Sequence, residues 1–365
     1  MKKFYLTFIA LFLAAIILPS VFVFAAEDKA FSDNENRVLQ TAPKLKGDDI
    51  LSGAFQEKLT SWISDQFPAR DKLTALGAKI KKTAGYKDIG DAYLCADGYY
   101  IQKITPEDTD PAQFEKNLGI VQEFADKNAD KSISLLLVPA TGTVLSDKLP
   151  KGAEMYDYKG MYAAAQSALS GVALPDAYGE LAKHADEYIY YRTDHHWTTE
   201  GARIAYNLLL GGKGAYKGEP ELFTDSFLGT IYSRTLLPNT EPDSIYIAPV
   251  GKTKVVCDGM ESELYDLSAA DEKDKYKVFF GGNYSRVDIT TEADNGKTLL
   301  MIKDSFANSL APFLTADFEH IIMLDLRYFR DSAQAICDSE GVTDILFISE
   351  MSTFSTDKNL IKLSF

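Results

Sequence analysis

The chain is poor in the residues that build metal centres and covalent frameworks. Of 365 residues only three are cysteine and four are histidine. Cys95, Cys257 and Cys337 lie far apart. An odd number cannot close a complete set of disulfides, and no Cys-x-x-Cys occurs. At most one bridge is available, and buried free thiols are the expectation. His184, His195, His196 and His320 show no zinc-ligand spacing, so neither a metal nor a cofactor is expected. Positive charge is also short, with 38 Lys and Arg against 53 Asp and Glu and a net charge of −15. There is no basic patch and no cluster of arginines with aromatics, which excludes a nucleic-acid binder. An acidic surface disfavours adhesion to anionic lipid and suits a soluble envelope protein. Internal repeats and low-complexity tracts are absent.

What is present starts with an apolar N-terminus. Lys2 and Lys3 precede an uncharged, mostly apolar run over residues 4–24, interrupted by Pro19 and Ser20 and followed by Ala25. The run exceeds the usual signal core of about 7–15 residues and approaches the ~20 that cross a bilayer. Residues 1–26 are therefore a cleaved export signal or a retained membrane anchor. Either way the body of the protein lies outside the cytoplasm, secreted or in the cell envelope. Removing the segment would make the remainder two charges more acidic. Residues 27–50, with Asn34-Glu35-Asn36-Arg37 and Pro43, read as an extended tether, and residues 51–365 as the catalytic domain.

Apolar spacing from Phe55 to about Lys82 is helical. Pro68 should end a first helix and Asp71 could cap a second. Asp97-Gly98 marks a β-hairpin turn. A βα alternation follows: a helix over 111–128, a strand over 132–138, a helix over 158–169, a tyrosine-rich strand over 187–192 and a helix over 199–210. Residues 211–295 form a less regular insertion with several short strands. The rhythm then resumes with strands over 297–303, 321–326 and 344–349 and helices from Ser305 and over 331–339. Such alternation predicts an α/β fold with a mostly parallel sheet and helices on both faces.

Two segments carry the chemistry. Thr193-Asp194-His195-His196-Trp197-Thr198 holds an acid and an imidazole two residues apart. In an extended segment Asp194 and His196 would share a face while His195 points away, which also argues against a chelating histidine pair. Lys303-Asp304-Ser305-Phe306 follows the apolar run 298–302, so Ser305 falls beyond the carboxyl end of a strand and at a helix start, where open α/β sheets build sites. There its own N–H would point to a developing oxyanion, although Asp304 and Ser305 are also ordinary helix caps. Asp194, His196 and Ser305 are the side-chain types of an activated nucleophile. Further candidates are the turn Ala140-Thr141-Gly142-Thr143 for backbone donors, Asn283 for an amide and Arg327 for an anionic substrate group or a surface ion pair. Trp197 could stack on a sugar or wall the pocket.

These motifs resemble the DHHW family, related to the SGNH-hydrolase-like alginate O-acetyltransferases of bacterial envelopes. The likeness extends to Glu35-Asn36-Arg37-Val38-Leu39 with Pro43, to Trp62 with Asp65-Gln66-Phe67-Pro68-Ala69-Arg70, to the Asp97-Gly98-Tyr99 hairpin and to Asp325-Leu326-Arg327-Tyr328-Phe329. The resemblance implies a three-layer α/β/α fold with a permuted motif order, since Asp and His precede the serine. It also implies a triad of Ser305 as nucleophile, His196 as base and Asp194 as orienting acid. The implied activity is acetylation of an exported polysaccharide, usually beside a membrane-bound O-acyltransferase. Lys303 stands where Gly-Asp-Ser would have glycine, which leaves the oxyanion hole unassigned. The alternatives are a carbohydrate acetyl-esterase and a non-catalytic envelope protein that binds glycan or a partner.

Overall fold

The run Thr298–Lys303 is buried at every position, which a strand tolerates only where both sheet faces are covered. Its side chains alternate between two separate cores. Leu299 and Met301 enter one; Leu300 and Ile302 enter the other. The computed structural model describes residues 2–32, 34, 37–45 and 47–364; Glu35 and Asn36 of the Asn34-Glu35-Asn36-Arg37 motif lie outside them. Thr298–Lys303 sits inside a seven-stranded sheet in the order Met260–Ser262, Lys254–Cys257, Arg286–Thr290, His320–Leu324, Thr298–Lys303, Asp344–Glu350, Ser132–Val138.

The sheet is mixed, which corrects the expectation of a mostly parallel one. The four strands from His320–Leu324 to Ser132–Val138 pair in parallel, while the remaining three pairings are antiparallel. The antiparallel half comes from residues 254–290, read from sequence as part of an irregular insertion. Strands of three to five residues are too short to show a period. Helices supply both cores. Ala177–Leu181, Thr199–Leu209 and Ala307–Leu314 contribute to one, and Pro111–Lys127, Tyr158–Ala168 and Ala333–Ser339 to the other. The elements Ser132–Val138, Pro111–Lys127 and Thr199–Leu209 appear where expected, the last two capped by Asp110 and Thr198.

The tyrosine-rich strand expected over 187–192 does not form. Residues 192–196 are a series of bends, closed by a single bridge between Tyr190 and Trp197. Buried Asp243 accepts hydrogen bonds from the backbone N–H groups of Arg192 (2.9 Å) and Thr193 (2.8 Å) and from the Thr193 hydroxyl (2.6 Å). These bonds occupy groups that a sheet neighbour would have taken.

The chain divides into two compact units, one of Met1–Ile89 with Ser233–Asn239 and one of Gly90–Tyr232 with Thr240–Phe365. In the first, helix Lys2–Ala25 is almost wholly exposed although apolar, and Lys3–Ala25 is long and apolar enough to cross a membrane. Helices Ala54–Asp65 and Arg70–Thr83, read from sequence as part of a domain starting at 51, group with this unit. They are separated at Pro68 as expected. Asp71 is not the cap: Ala69 holds that place with φ 56°, and Asp71 sits in the first turn. Arg37 donates to both Asp65 oxygens (3.0 and 2.5 Å), and the Trp62 indole to Asp28 (2.7 Å). The expected hairpin turn is present in the second unit, with Asp97 and Gly98 both at positive φ. All three cysteines are free thiols.

Candidate active site

Ser305 lies in the turn between strand Thr298–Lys303 and helix Ala307–Leu314. Asp304, one residue earlier, fastens that turn. Its Oδ1 accepts from the Phe306 N–H (2.9 Å), and its Oδ2 from the Glu350 N–H (2.7 Å) and the Ser349 hydroxyl (3.1 Å) on the neighbouring strand. Burial pushes the Asp304 carboxyl up despite these bonds. Ser305 is not spent as a cap; the helix begins at Ala307 with Phe306 before it and no side-chain cap. Instead Ser305 Oγ lies 2.7 Å from His196 Nε2, and His196 Nδ1 lies 2.6 Å from Asp194 Oδ1. The three groups singled out in two distant segments thus form one continuous hydrogen-bonded chain.

The acid end is tightly held. Asp194 Oδ1 also accepts the His196 N–H (3.0 Å), and Oδ2 accepts the Thr230 N–H (2.8 Å) and hydroxyl (2.9 Å). Burial alone would raise this carboxyl. The imidazoles of His195 and His196 and these hydrogen bonds outweigh it and hold the group well below the carboxylate range. An ionised Asp194 can only accept, so the Nδ1 proton stays on His196 and Nε2 is left to accept from the serine hydroxyl. The His196 ring stacks on Tyr276, with centroids 4.1 Å apart and planes 7° from parallel. The Tyr276 hydroxyl donates to the Ser305 carbonyl (3.2 Å). This arrangement can activate a serine, because the imidazole has one tautomer and one orientation.

His195 corrects the expectation that it would face away. Its ring lies 3.8 Å from that of His196, because a bent segment does not alternate faces as a strand does. Ligand atoms of Asp194, His195 and His196 lie within 4.8 Å of one another, but both His196 nitrogens and both Asp194 oxygens are engaged within the chain.

A cavity of about 160 Å³ opens beside the serine, lined by Ala140, Thr141, His195, Ser305, Arg327 and Glu350 among others. A larger cavity of about 560 Å³ lies in the N-terminal unit and includes none of these residues. Thr141 carries a buried hydroxyl without a partner among the described residues. Arg327 reaches the cavity while its guanidinium grips Asp325 (2.9 and 2.5 Å), and that hydrogen bond keeps it charged. Glu350, pushed up by burial, accepts from the Tyr156 hydroxyl (2.9 Å).

Two candidates are placed elsewhere. Trp197 is fully buried and donates to the Phe306 carbonyl (3.1 Å) and Ser309 Oγ (2.9 Å), so it braces the serine turn and offers no face to a sugar. Asn283 does not line the cavity; its carbonyl accepts from Lys303 Nζ (3.3 Å) and the Asn308 amide (3.2 Å). Lys303 is itself buried, and desolvation brings its ammonium down to about 8. Sequence reasoning missed Thr230, Tyr276 and Asp243. All three come from the stretch without periodicity, and nothing local marks them.

Residues 161–324 match the family described as DHHW protein, and residues 99–210 match the SGNH hydrolase-like domain of acetyltransferase AlgX. The probable alginate O-acetylase AlgJ of Pseudomonas fluorescens is 25% identical over 185 residues, which are 48% of this chain and 47% of AlgJ. The chain thus spans about half the length of the curated relative it matches. Among solved structures, a DHHW family protein from Eubacterium siraeum superposes with TM-score 0.64 at 24% identity, covering 76% of this chain and 96% of the other. PatB1 of Bacillus cereus with a sulfonyl adduct superposes with TM-score 0.60 at 21% identity, covering 74% and 99%. At these identities the structural likenesses speak to the mixed α/β fold alone.

Proposed function

We propose that this chain, which matches the DHHW family over residues 161–324 and has a relative named as a probable alginate O-acetylase, is an extracytoplasmic O-acetyltransferase acting on a cell-surface or secreted polysaccharide. The observation that carries this reading is the unbroken chain from Ser305 Oγ through His196 to Asp194, at 2.7 and 2.6 Å. His196 Nε2 takes the serine proton as Oγ bonds to the acetyl carbon, then returns that proton to the departing donor. In the second half a glycan hydroxyl gives its proton to His196 and bonds to the acetyl carbon, and Ser305 leaves with the proton. Asp194 keeps the imidazole in the required tautomer and offsets its charge when protonated. The segment expected as a turn over 140–143 is a short helix, Thr141–Val144; Thr141 and the backbone N–H groups at its start are the candidates for holding the oxyanion, and Arg327 for an anionic group of the substrate. In this reading the helices on both sheet faces make the three-layer arrangement of SGNH hydrolases, with the acid and base motif permuted ahead of the serine. The apolar N-terminal helix serves as export signal or anchor, and a membrane-bound O-acyltransferase delivers acetyl from the cytoplasm.

The test is to incubate purified protein with an acetyl ester and locate the acetyl group by mass spectrometry. Acetyl on Ser305, and a loss of turnover on the order of 10³-fold or more in Ser305→Ala, are expected. Acetyl elsewhere, or an unaffected Ser305→Ala protein, would overturn the assignment and leave a glycan- or partner-binding protein. Donor consumption that rises with added acceptor separates a transferase from an esterase.

A further inference from the structure

Helix Arg70–Thr83 presents its large apolar side chains outward. Leu73, Leu76 and Ile80 keep the spacing that ordinarily marks a buried face, yet they are 50%, 53% and 59% exposed. The covered face carries Asp71, Thr74, Ala75 and Ala78 instead, and Asp71 accepts from the Asn34 amide. At about 100° per residue the two faces are centred roughly 180° apart. The helix thus holds to its own unit through small and polar residues and leaves an apolar stripe uncovered.

The borders of that stripe are basic. On the helical wheel Lys72 and Lys79 flank it on one side and Lys81 on the other, and all three are exposed. Residues 70–87 hold six basic side chains against the single acid Asp71, in a chain whose net charge is −15. The acidity that keeps the rest of the surface from anionic lipid is reversed here. The helix also starts beside the end of the membrane-length helix Lys2–Ala25. Phe22 and Val23 of that helix and Asp71 and Lys72 of this one line the same cavity of about 560 Å³. The Phe24 ring packs edge-on against Trp62, with centroids 5.1 Å apart. From there the 14 residues of Arg70–Thr83 extend about 21 Å.

We propose that helix Arg70–Thr83 lies flat in the membrane interface, with Leu73, Leu76 and Ile80 in the boundary between headgroups and acyl chains. Lys72, Lys79 and Lys81 run their aliphatic stems along that boundary and set their ammonium groups among anionic headgroups. Two observations favour a bilayer over a protein partner: the stripe is bordered by positive charge on both sides, and the adjoining membrane-length helix brings a bilayer to its first turn. A spanning helix and a surface helix together would fix how the N-terminal unit lies on the membrane. This inference takes residues 3–25 as a retained anchor and does not depend on the acyl-transfer chemistry.

The test places a tryptophan in the stripe. Full-length protein carrying Leu76→Trp is reconstituted into vesicles of phosphatidylcholine and phosphatidylglycerol, with and without bromine on the acyl chains. Its emission is compared with that of the unaltered protein, whose Trp62 and Trp197 are buried. Brominated lipid should quench the added tryptophan roughly twofold, since an interfacial helix buries its apolar face about 5–10 Å into the boundary. Adding Lys72→Glu, Lys79→Glu and Lys81→Glu changes exposed charges alone and should restore most of the lost emission. Quenching no greater than in the unaltered protein overturns the proposal. So does an added tryptophan whose emission shifts to the blue without being quenched, which marks a protein partner or a second copy over the stripe. Quenching that survives the charge reversal overturns the assignment of the lysines to headgroups. The intact mass of the purified protein is read separately: a mass lacking residues 1–25 refutes the retained anchor on which the inference stands.

Discussion

Asparagine at position 194 would keep the shape of the acid and remove its charge, and the surroundings leave the new amide no good orientation. With the NH₂ at the Oδ1 position it faces the His196 N–H and the Nδ1 proton, now 3.0 and 2.6 Å from oxygen. The imidazole would then have to carry its proton on Nε2, where Ser305 needs an acceptor. With the NH₂ at the Oδ2 position it faces the Thr230 N–H at 2.8 Å, and a backbone donor cannot turn away. A buried donor without a partner costs about 1–3 kcal/mol, equivalent to a drop in melting temperature of several degrees. Turnover of p-nitrophenyl acetate should fall on the order of 10⁴-fold, as expected when a triad acid becomes an amide and the base adopts the wrong tautomer. The pH arm has a definite sign. Asp194 is held below its unfolded value of about 3.9, so its stabilisation is complete above that pH and is lost as pH falls through the folded value. The melting gap between the native protein and Asp194→Asn should be widest near neutrality and narrow in acid. A folded variant with turnover within tenfold of native, or a gap independent of pH, would refute this account.

Gly229→Ala should disable the site by crowding the acid: a Cβ there would press on Asp194 Cβ and lie 2.6 Å from its Oδ2 and 2.8 Å from its Cα. Displacing the acid should lower turnover about 10²-fold, and circular dichroism would check that the fold survives. Trp197→Phe removes the donor to the Phe306 carbonyl and Ser309 Oγ. It should cost about 1–3 kcal/mol in stability and lower kcat more than it raises KM, since it loosens the serine turn; the reverse split in steady-state kinetics would contradict that role.

The positions of Ser305, His196 and Asp194 were legible because each rests on a local signal. A fully apolar run followed by Asp304-Ser305 reads as a strand edge, and Asp194-x-His196 reads as an oriented base. The alternation rule failed at His195 because Asp243, 49 residues downstream of Asp194, bends the segment by taking its backbone donors. The short antiparallel strands of 254–290 complete the sheet through pairing partners, not through any period of their own. Thr230 and Tyr276 follow the same logic: one is held to the acid by two hydrogen bonds, the other to the base by stacking. Neither sits in a motif.

By itself the sequence determined the serine, histidine and aspartate that the hydrogen-bonded chain uses, the apolar character of the N-terminus and the strand that Ser305 follows. These depend on residue type and near-neighbour spacing. Tertiary structure alone decided that Ser305 meets His196 across 109 positions, that a second imidazole joins it, and that Trp197 and Asn283 serve elsewhere. A hydrogen bond is made or lost within a few tenths of an ångström, and only the packing of distant segments sets distances that finely.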